Sequence, residues 1–166
     1  MTKGVGKGLV IDSSALYYGK DLPSEFELII SPGIASELRR HGMGDRLDLL
    51  LATKVKILSP SKESLIQVLA ESKASGDLTR LSSADKEILA LALDLGYELV
   101  TDDYSIQNVA AALGVSCRPL DQNGISRTIV WESVCTGCRK RFAAHVEECD
   151  ICGSATKTTG RKHGGR

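Results

Sequence analysis

The sequence predicts an α/β protein in which a mostly parallel sheet is flanked by helices, followed by a small module built on four cysteines. Two observations carry this prediction. Short apolar runs alternate with helical patterns over roughly residues 8 to 120, and two C-x-x-C pairs follow them. Strands that alternate with helices form mostly parallel sheets covered by helices on both faces.

Five short segments have the apolar pattern of buried strands. They are GLVI from residue 8, ELIIS from residue 27, VKIL from residue 55, ELV from residue 98 and VSC from residue 115. Pro32 and Pro60 stop the second and third of these runs, because proline cannot continue a central strand. Acidic residues follow the first and fourth runs, where functional groups collect in parallel sheets.

Helical patterns lie between these strands, at residues 34–42, 45–54, 61–75, 81–96 and 105–114. The clearest is LSSADKEILALALDLG, which has Ser82 or Ser83 as a cap and acidic residues in its first turn. Gly96 is placed to end it. Ser61 is the predicted cap of the preceding helix.

Composition and charge narrow the class of protein. The chain has 42% apolar and 25% charged residues, and no apolar run reaches the roughly 18 residues of a membrane span. Met1 to Lys7 leads straight into a strand rather than a signal peptide. We therefore expect a cytoplasmic, monomeric protein without membrane attachment. Its odd count of five cysteines argues against a disulfide framework.

Charge is unevenly distributed although the whole chain is neutral. Residues 1–124 contain 13 basic and 17 acidic residues, which gives a net charge of −4. Residues 125–166 contain 8 basic and 4 acidic residues, which gives a net charge of +4. An acidic body suits a cation site, and a basic end suits a polyanion. We expect an α/β domain at 1–121, a linker at 122–130, a metal module at 131–156 and a basic flexible tail at 157–166.

The four paired cysteines predict a metal site. Cys135, Cys138, Cys149 and Cys152 form two knuckles, the set that one structural zinc ion prefers, and four protein ligands leave no open position for catalysis. Iron in a rubredoxin-like site is the alternative. Cys117 belongs to neither knuckle and is predicted to be a small buried hydrophobe.

Basic and aromatic residues between and after the knuckles predict contacts with nucleic acid. Cations suit phosphates and rings suit base stacking. The alternative is a solvated loop in which Phe142 packs under the metal and Trp131 packs on the module. The candidate RNA-binding residues are Arg139, Lys140, Arg141, Phe142, Arg161 and Lys162.

Four acidic residues fall at the ends of predicted elements: Asp12, Glu37, Asp85 and Asp103. Clustered carboxylates bind hard divalent cations such as Mg²⁺ and Mn²⁺. Taken singly, Asp85 could serve a helix dipole, and Asp102 or Asp103 could form a turn. The pattern alone does not bring these acids together.

Four motifs in this order, LVIDSSAL, PGIASEL, LSSADKEILALAL and LVTDDYSIQNVA, resemble those of the PIN-domain ribonucleases. The resemblance covers roughly residues 8 to 120 and implies a PIN-like fold, followed in the chain by a zinc ribbon. It also implies that Asp12, Glu37, Asp85 and Asp103 hold one or two Mg²⁺ or Mn²⁺ ions. The resemblance places Asp102 beside Asp103 as an outer ligand, and it leaves open which of these two neighbours points toward the ions. It also implies that Ser13 and Thr101 lie at the edge of the site.

A PIN domain followed by two knuckles and a basic tail is similar to archaeal endonucleases that mature the 3′ end of small-subunit ribosomal RNA. This similarity implies metal-assisted hydrolysis, with ribosomal RNA or a pre-small-subunit particle as the partner. A toxin-like PIN nuclease acting on messenger or transfer RNA is one alternative. A non-catalytic RNA-binding assembly factor is another.

Overall fold

The structure, a computed structural model, describes residues 8–17, 25–119, 129–143 and 145–162, with the backbone alone at 129–131 and 160–162. The helices in these ranges are α1 Ser13–Tyr17, α2 Pro32–Arg40, α3 Gly44–Thr53, α4 Lys62–Ser75, α5 Ser83–Leu95 and α6 Tyr104–Leu113. The strands are β1 Gly8–Ile11, β2 Glu27–Ile30, β3 Val55–Ile57, β4 Glu98–Val100, β5 Cys117–Arg118, β6 Ile129–Cys135, β7 Arg141–Phe142 and β8 Thr156–Lys162.

The first five strands form one parallel sheet in the order β3-β2-β1-β4-β5. This confirms the predicted α/β class. The sheet is built outward from β1 in two directions, because the chain first adds β2 and β3 on one side. It then crosses back through α4 and α5 to add β4 and β5 on the other side.

The strand order reverses between β1 and β4, so the carboxyl ends of these two strands form a topological switch point. Ligand sites in open parallel sheets occur at such switch points, because the connections leave these two strands in opposite directions. Asp12 follows β1 directly, and Thr101 follows β4 directly. The backbone amide of Asp12 donates to the Val100 carbonyl across 3.1 Å, so the two strand ends are in register.

Buried aliphatic residues fill the space between the sheet and its helices. Val10 and Ile11 of β1, and Ile88 and Leu89 of α5, are completely buried. Their burial on both faces of the sheet explains why β1 is apolar at every position instead of alternating. The same burial makes the central sheet a rigid platform for the residues that follow its strands.

Helix ends follow the capping residues predicted from the sequence. Ser61 caps α4, and Ser82 caps α5 in a reciprocal capping box with Asp85. Gly96 ends α5 with a φ of 65°, a conformation that glycine adopts at little cost. None of the described helices has the length and apolar character needed to cross a membrane.

A second, antiparallel sheet of order β7-β6-β8 lies in the C-terminal part of the chain, and β6 contacts α4. Its third strand corrects one expectation. Residues 157–162 were predicted to be flexible tail, but they pair with β6 along its whole length. The reason is long-range pairing: β6 satisfies the backbone groups of a segment that lacks apolar anchors. Residues 122–128 of the predicted linker and 163–166 of the tail lie outside the described residues.

Candidate functional site

Asp12 is the centre of the predicted carboxylate site. Asp12 follows β1 and is only 5% exposed to solvent. Three neighbouring residues hydrogen-bond to its carboxylate. Ser13 donates from its backbone amide to Oδ1 at 2.6 Å, while the hydroxyls of Ser14 and Thr101 donate to Oδ2 at 2.9 Å and 2.8 Å. Burial raises the pKa of Asp12, and the nearby Asp85 carboxylate raises it further. The three hydrogen bonds lower this pKa, but burial outweighs them.

Thr101 connects Asp12 to the turn that contains Asp102 and Asp103. Its hydroxyl accepts a 3.1 Å hydrogen bond from the Asp103 amide while donating to Asp12. Its carbonyl accepts from Nε2 of Gln107 at 2.9 Å, which fixes the end of β4 against α6. The residue is fully buried. Thr101 therefore fixes the position of the Asp102–Asp103 turn relative to the Asp12 carboxylate.

Asp102 and Asp103 occupy different environments in this turn. Asp103 is exposed and caps α6, because its Oδ1 accepts from the amides of Ser105 at 2.7 Å and Ile106 at 3.2 Å. Asp102 is half-buried. The capping role leaves Oδ2 of Asp103 as the oxygen that can face a cation.

Glu37 and Asp85 approach Asp12 from two helices, α2 and α5. Burial raises the pKa of Glu37, and the charges of Asp85 and Asp12 raise it further, against the opposite effect of Arg40 and His41. Oδ2 of Asp85 also accepts from the Ser82 amide at 2.7 Å. Three carboxylates thus repel one another at one end of the sheet, which is the electrostatic condition that a divalent cation relieves.

The set of oxygen donors fits Mg²⁺ or Mn²⁺, since hard cations take carboxylate ligands and keep several waters. The acids are nevertheless spaced more widely than the thiols of the knuckles. Within the described ranges, the four cysteines are the one compact group of three or more candidate ligands.

Two residues at this site lie inside the quoted motifs but were not predicted to have a role: Ser14, which contacts Asp12, and Glu87. Oε2 of Glu87 accepts a 2.7 Å hydrogen bond from the Gly33 amide in the first turn of α2. This bond joins the helix that carries Glu37 to the helix that carries Asp85. Periodicity could show that Glu87 lies on α5 but not which helix its side chain faces.

The four knuckle cysteines converge as predicted. Their sulfur atoms all lie within 4.8 Å of one another, with Cys135 and Cys152 at 3.4 Å and Cys138 and Cys149 at 3.6 Å. A tetrahedron of sulfurs around zinc, with bonds of about 2.3 Å, has edges of about 3.8 Å. The spacing and the thiol chemistry therefore fit one zinc ion.

Hydrogen bonds affect the four sulfurs unequally. The Lys140 amide lowers the pKa of Cys138, but the hydrogen bond with the Cys149 thiol and burial outweigh it and raise that pKa to about 11. The Ser154 hydroxyl and amide, with smaller help from Cys135, lower the pKa of Cys152 to about 6. Amides of Gly137 and Cys138 donate to the Cys135 sulfur at 3.3 and 3.4 Å. Hydrogen bonds of this kind stabilise thiolates, which are the form that binds metal.

Cys117 differs from the knuckle cysteines. It lies half-buried in β5 and packs against the core of the parallel sheet. Burial, and then the charge of Glu98, raises the pKa of its thiol to about 12, so it stays protonated. This is the environment of the small hydrophobe that the sequence predicted.

The predicted RNA-binding residues of the ribbon are not equivalent in the structure. Lys140 pairs with Asp150 at 2.8 Å and lies 4.9 Å from the centre of the Phe142 ring. Arg141 pairs with Glu132 at 3.2 Å, whereas Arg139 is exposed. The side chains of Trp131, Arg161 and Lys162 lie outside the described residues.

Comparison with known proteins agrees with this architecture. The family described as "PIN domain of ribonuclease" matches residues 9–95. This chain therefore belongs to the PIN-domain ribonucleases, as its motifs predicted, and its enzyme class is that of a ribonuclease.

Three relatives illustrate the similarity. "Endoribonuclease Nob1" of Pyrococcus abyssi is 38% identical over 93% of this chain and 94% of its own length. A protein of the same name from Methanocaldococcus jannaschii is 36% identical over 93% of this chain and 78% of its own. "Ribonuclease VapC1" of Thermoplasma acidophilum is 37% identical over 92% of this chain and 78% of its own.

Proposed function

We propose that this protein is a metal-dependent endoribonuclease that acts in the cytoplasm and matures the 3′ end of small-subunit ribosomal RNA, within a pre-small-subunit particle. One observation carries the proposal: a carboxylate site at the switch point of the sheet and a four-thiol module occur in one chain. The relatives named as endoribonucleases match over both parts. Their similarity supports a common substrate.

Asp12, Glu37, Asp85 and Asp103 would hold the catalytic Mg²⁺ or Mn²⁺, with Asp102 as an outer residue. When bound, such an ion activates water and neutralises charge on the scissile phosphate. Asp12 is the best prepared of these groups, since the hydroxyls of Ser14 and Thr101 and the Ser13 amide fix its orientation. Glu37 and Asp85 supply the remaining negative charge.

The four cysteines would bind one structural zinc ion and keep the ribbon folded. In this division of the chain, residues 1–121 are the nuclease domain, and the ribbon starts with β6 at Ile129, two residues before the predicted start at 131. The ribbon includes β8 and therefore extends beyond residue 156. The excess of basic residues after residue 124 gives this end the charge needed to hold RNA while the nuclease domain cuts nearby.

Cleavage of an RNA that spans the 3′ end of small-subunit ribosomal RNA tests the proposal. The native chain is loaded with zinc and assayed with Mn²⁺ or without added divalent ion, beside Asp12→Asn and the control Asp45→Asn. Asp45 is exposed in the first turn of α3, a helix that carries none of the predicted site acids. We expect cutting at the mature end that requires Mn²⁺ and Asp12 but not Asp45. Cutting that survives Asp12→Asn would contradict the assigned site.

A toxin-like nuclease acting on messenger or transfer RNA is the second candidate. The similarity to "Ribonuclease VapC1", which extends over 92% of this chain, favours it. The same assay separates the candidates: scattered cutting of ribosomal RNA together with defined cutting of a transfer RNA would select the second. Tight binding without cutting, on the naked RNA and on the precursor particle, would instead select an assembly factor.

A further inference from the structure

The two cysteine knuckles share one backbone geometry but differ in the residue that follows the second cysteine. Arg139 follows Cys138 with a φ of 65°, and Gly153 follows Cys152 with a φ of 68°. Arg139 is the one non-glycine residue with positive φ in the described part of the chain. A Cβ in this region crowds the neighbouring carbonyl, so an L-residue other than glycine is disfavoured there.

The knuckle itself requires this conformation. The left-handed residue turns the next amide back toward the sulfur of the second cysteine. The Lys140 amide is directed at Cys138 in one knuckle, and the Ser154 amide at Cys152 in the other. Glycine meets the requirement in the second knuckle without strain. The metal site therefore does not explain why position 139 is an arginine instead of a glycine.

Arg139 also differs from the two basic residues that follow it. Lys140 is held by Asp150, and Arg141 by Glu132, a side chain only 12% exposed. Arg139 is exposed and makes no ion pair or hydrogen bond with any residue that the structure describes. Acidic partners offset the charges of Lys140 and Arg141, while the guanidinium of Arg139 remains available for a ligand.

We propose that Arg139 is the residue of this basic run that contacts an RNA phosphate, whereas Lys140 and Arg141 hold the ribbon together. A guanidinium presents paired donors that match two phosphate oxygens. A strained backbone kept at an exposed position is a feature of ligand-contacting sites. The inference rests on the proposed function, because it takes RNA as the ligand.

Binding and stability measured together test the inference. The native chain is compared with Arg139→Gly, Arg139→Lys and the control Arg141→Gln, which removes the same unit of charge. The probe is a fluorescent RNA spanning the 3′ end of small-subunit ribosomal RNA, without added Mg²⁺ or Mn²⁺. Affinity is measured from low to moderate salt, and thermal unfolding and zinc content are measured on the same samples.

We expect Arg139→Gly to raise the unfolding temperature, since it relieves the strain, and yet to weaken RNA binding about fivefold or more. The slope of log affinity against log salt should fall by about 0.7 to 0.9, the loss of one phosphate contact. Arg139→Lys should keep the native slope because it keeps the charge. Arg141→Gln should change affinity less than about twofold, because the Arg141 guanidinium contacts Glu132 instead of the RNA.

An equal loss of affinity in Arg139→Gly and Arg141→Gln would overturn the inference, since only net charge would then matter. Native affinity and slope in Arg139→Gly would also overturn it. So would a fall in stability or zinc content in that variant, because Arg139 would then be structural. These outcomes leave the proposed function intact. That function fails separately if the native chain neither binds nor cuts the RNA.

Discussion

The hydroxyl of Thr101 donates a 2.8 Å hydrogen bond to Oδ2 of Asp12, across 89 positions of sequence. The same hydroxyl accepts from the Asp103 amide at 3.1 Å. One buried side chain thus joins the ends of β1 and β4. The relation explains how a threonine without a charge can control a carboxylate site.

Thr101→Val keeps the shape of the side chain and removes both hydrogen bonds. We expect the Mn²⁺ concentration needed for cleavage to rise about 10- to 100-fold, as for other residues that orient metal ligands. Because the Thr101 hydroxyl lowers the pKa of Asp12, its loss should also move the acidic limb of the pH–rate profile to higher pH. Thr101→Ser, which keeps the hydroxyl, is the control. Identical Mn²⁺ and pH profiles in the two variants would contradict this role.

Gly33 lies where α2 packs on α5, and it has no room for a side chain. A Cβ there would stand 2.7 Å from Oε2 of Glu87 and 2.9 Å from the Ala84 Cα. Gly33→Ala should lower the free energy of unfolding by about 1–3 kcal/mol through overpacking, and should reduce cleavage by moving Glu37 relative to Asp85. Urea denaturation and the RNA assay measure the two effects.

Gly44→Ala is the matched control, because its Cβ would meet only the Arg39 guanidinium at 3.7 Å. It begins α3, so alanine should be neutral or stabilise the protein by up to about 1 kcal/mol. Equal destabilisation by the two substitutions would show that close packing at Gly33 is not the cause.

Asp94 near the end of α5 holds the start of α4. It accepts from the Ser61 amide at 2.6 Å, the Ser61 hydroxyl at 2.8 Å and the Ser64 hydroxyl at 2.5 Å. Burial alone would raise its pKa, but these three hydrogen bonds outweigh burial and lower it below the ordinary value of 3.8. The ionised form is therefore favoured in the folded protein.

Asp94→Asn should cost about 1 kcal/mol of unfolding free energy at neutral pH, since the site is exposed and screened by solvent. A lowered pKa stabilises the fold fully above pH 3.8, and this stabilisation is lost as pH falls through the folded-state pKa. The stability gap between the native chain and Asp94→Asn should close in that acid range. Urea denaturation from pH 2 to pH 7 checks this. A gap that does not narrow toward acid would count against it, and Asp48→Asn is the surface control.

Cys149 is buried in the sulfur cluster, whereas Cys117 lies outside it. We expect about one zinc per native chain by elemental analysis, a lower content in Cys149→Ser, and the native content in Cys117→Ala. Loss of the ion should unfold the ribbon and spare the parallel sheet, whose core contains none of the knuckle cysteines. Equal zinc content in Cys149→Ser and the native chain would refute the four-thiol site.

Much of the fold could be predicted because its signals are local. The apolar runs of β1 and β2 and the caps at Ser61 and Ser82 each depend on residues within a few positions of one another. The knuckles are local in the same sense. Each C-x-x-C pair places two sulfurs on one turn, so spacing alone predicted the ligands that the structure brings together.

What the sequence could not determine depends on partners distant in the chain. The strand β8 exists because β6 pairs with it, although its own residues carry no apolar pattern. Glu87 meets Gly33 across 54 positions, and Asp150 and Glu132 neutralise Lys140 and Arg141 from other elements.

The sequence by itself therefore determined the strands of the parallel sheet, most of its helices, the residue types of both sites and the family. Only the tertiary structure decided which side chains meet, such as Thr101 with Asp12 and Glu87 with the Gly33 amide of α2. It also decided that Arg139, unlike Lys140 and Arg141, has no acidic partner among the described residues. The physical reason is that helix caps and strand patterns are stabilised by near neighbours. A contact between two elements exists only after the sheet has set their positions.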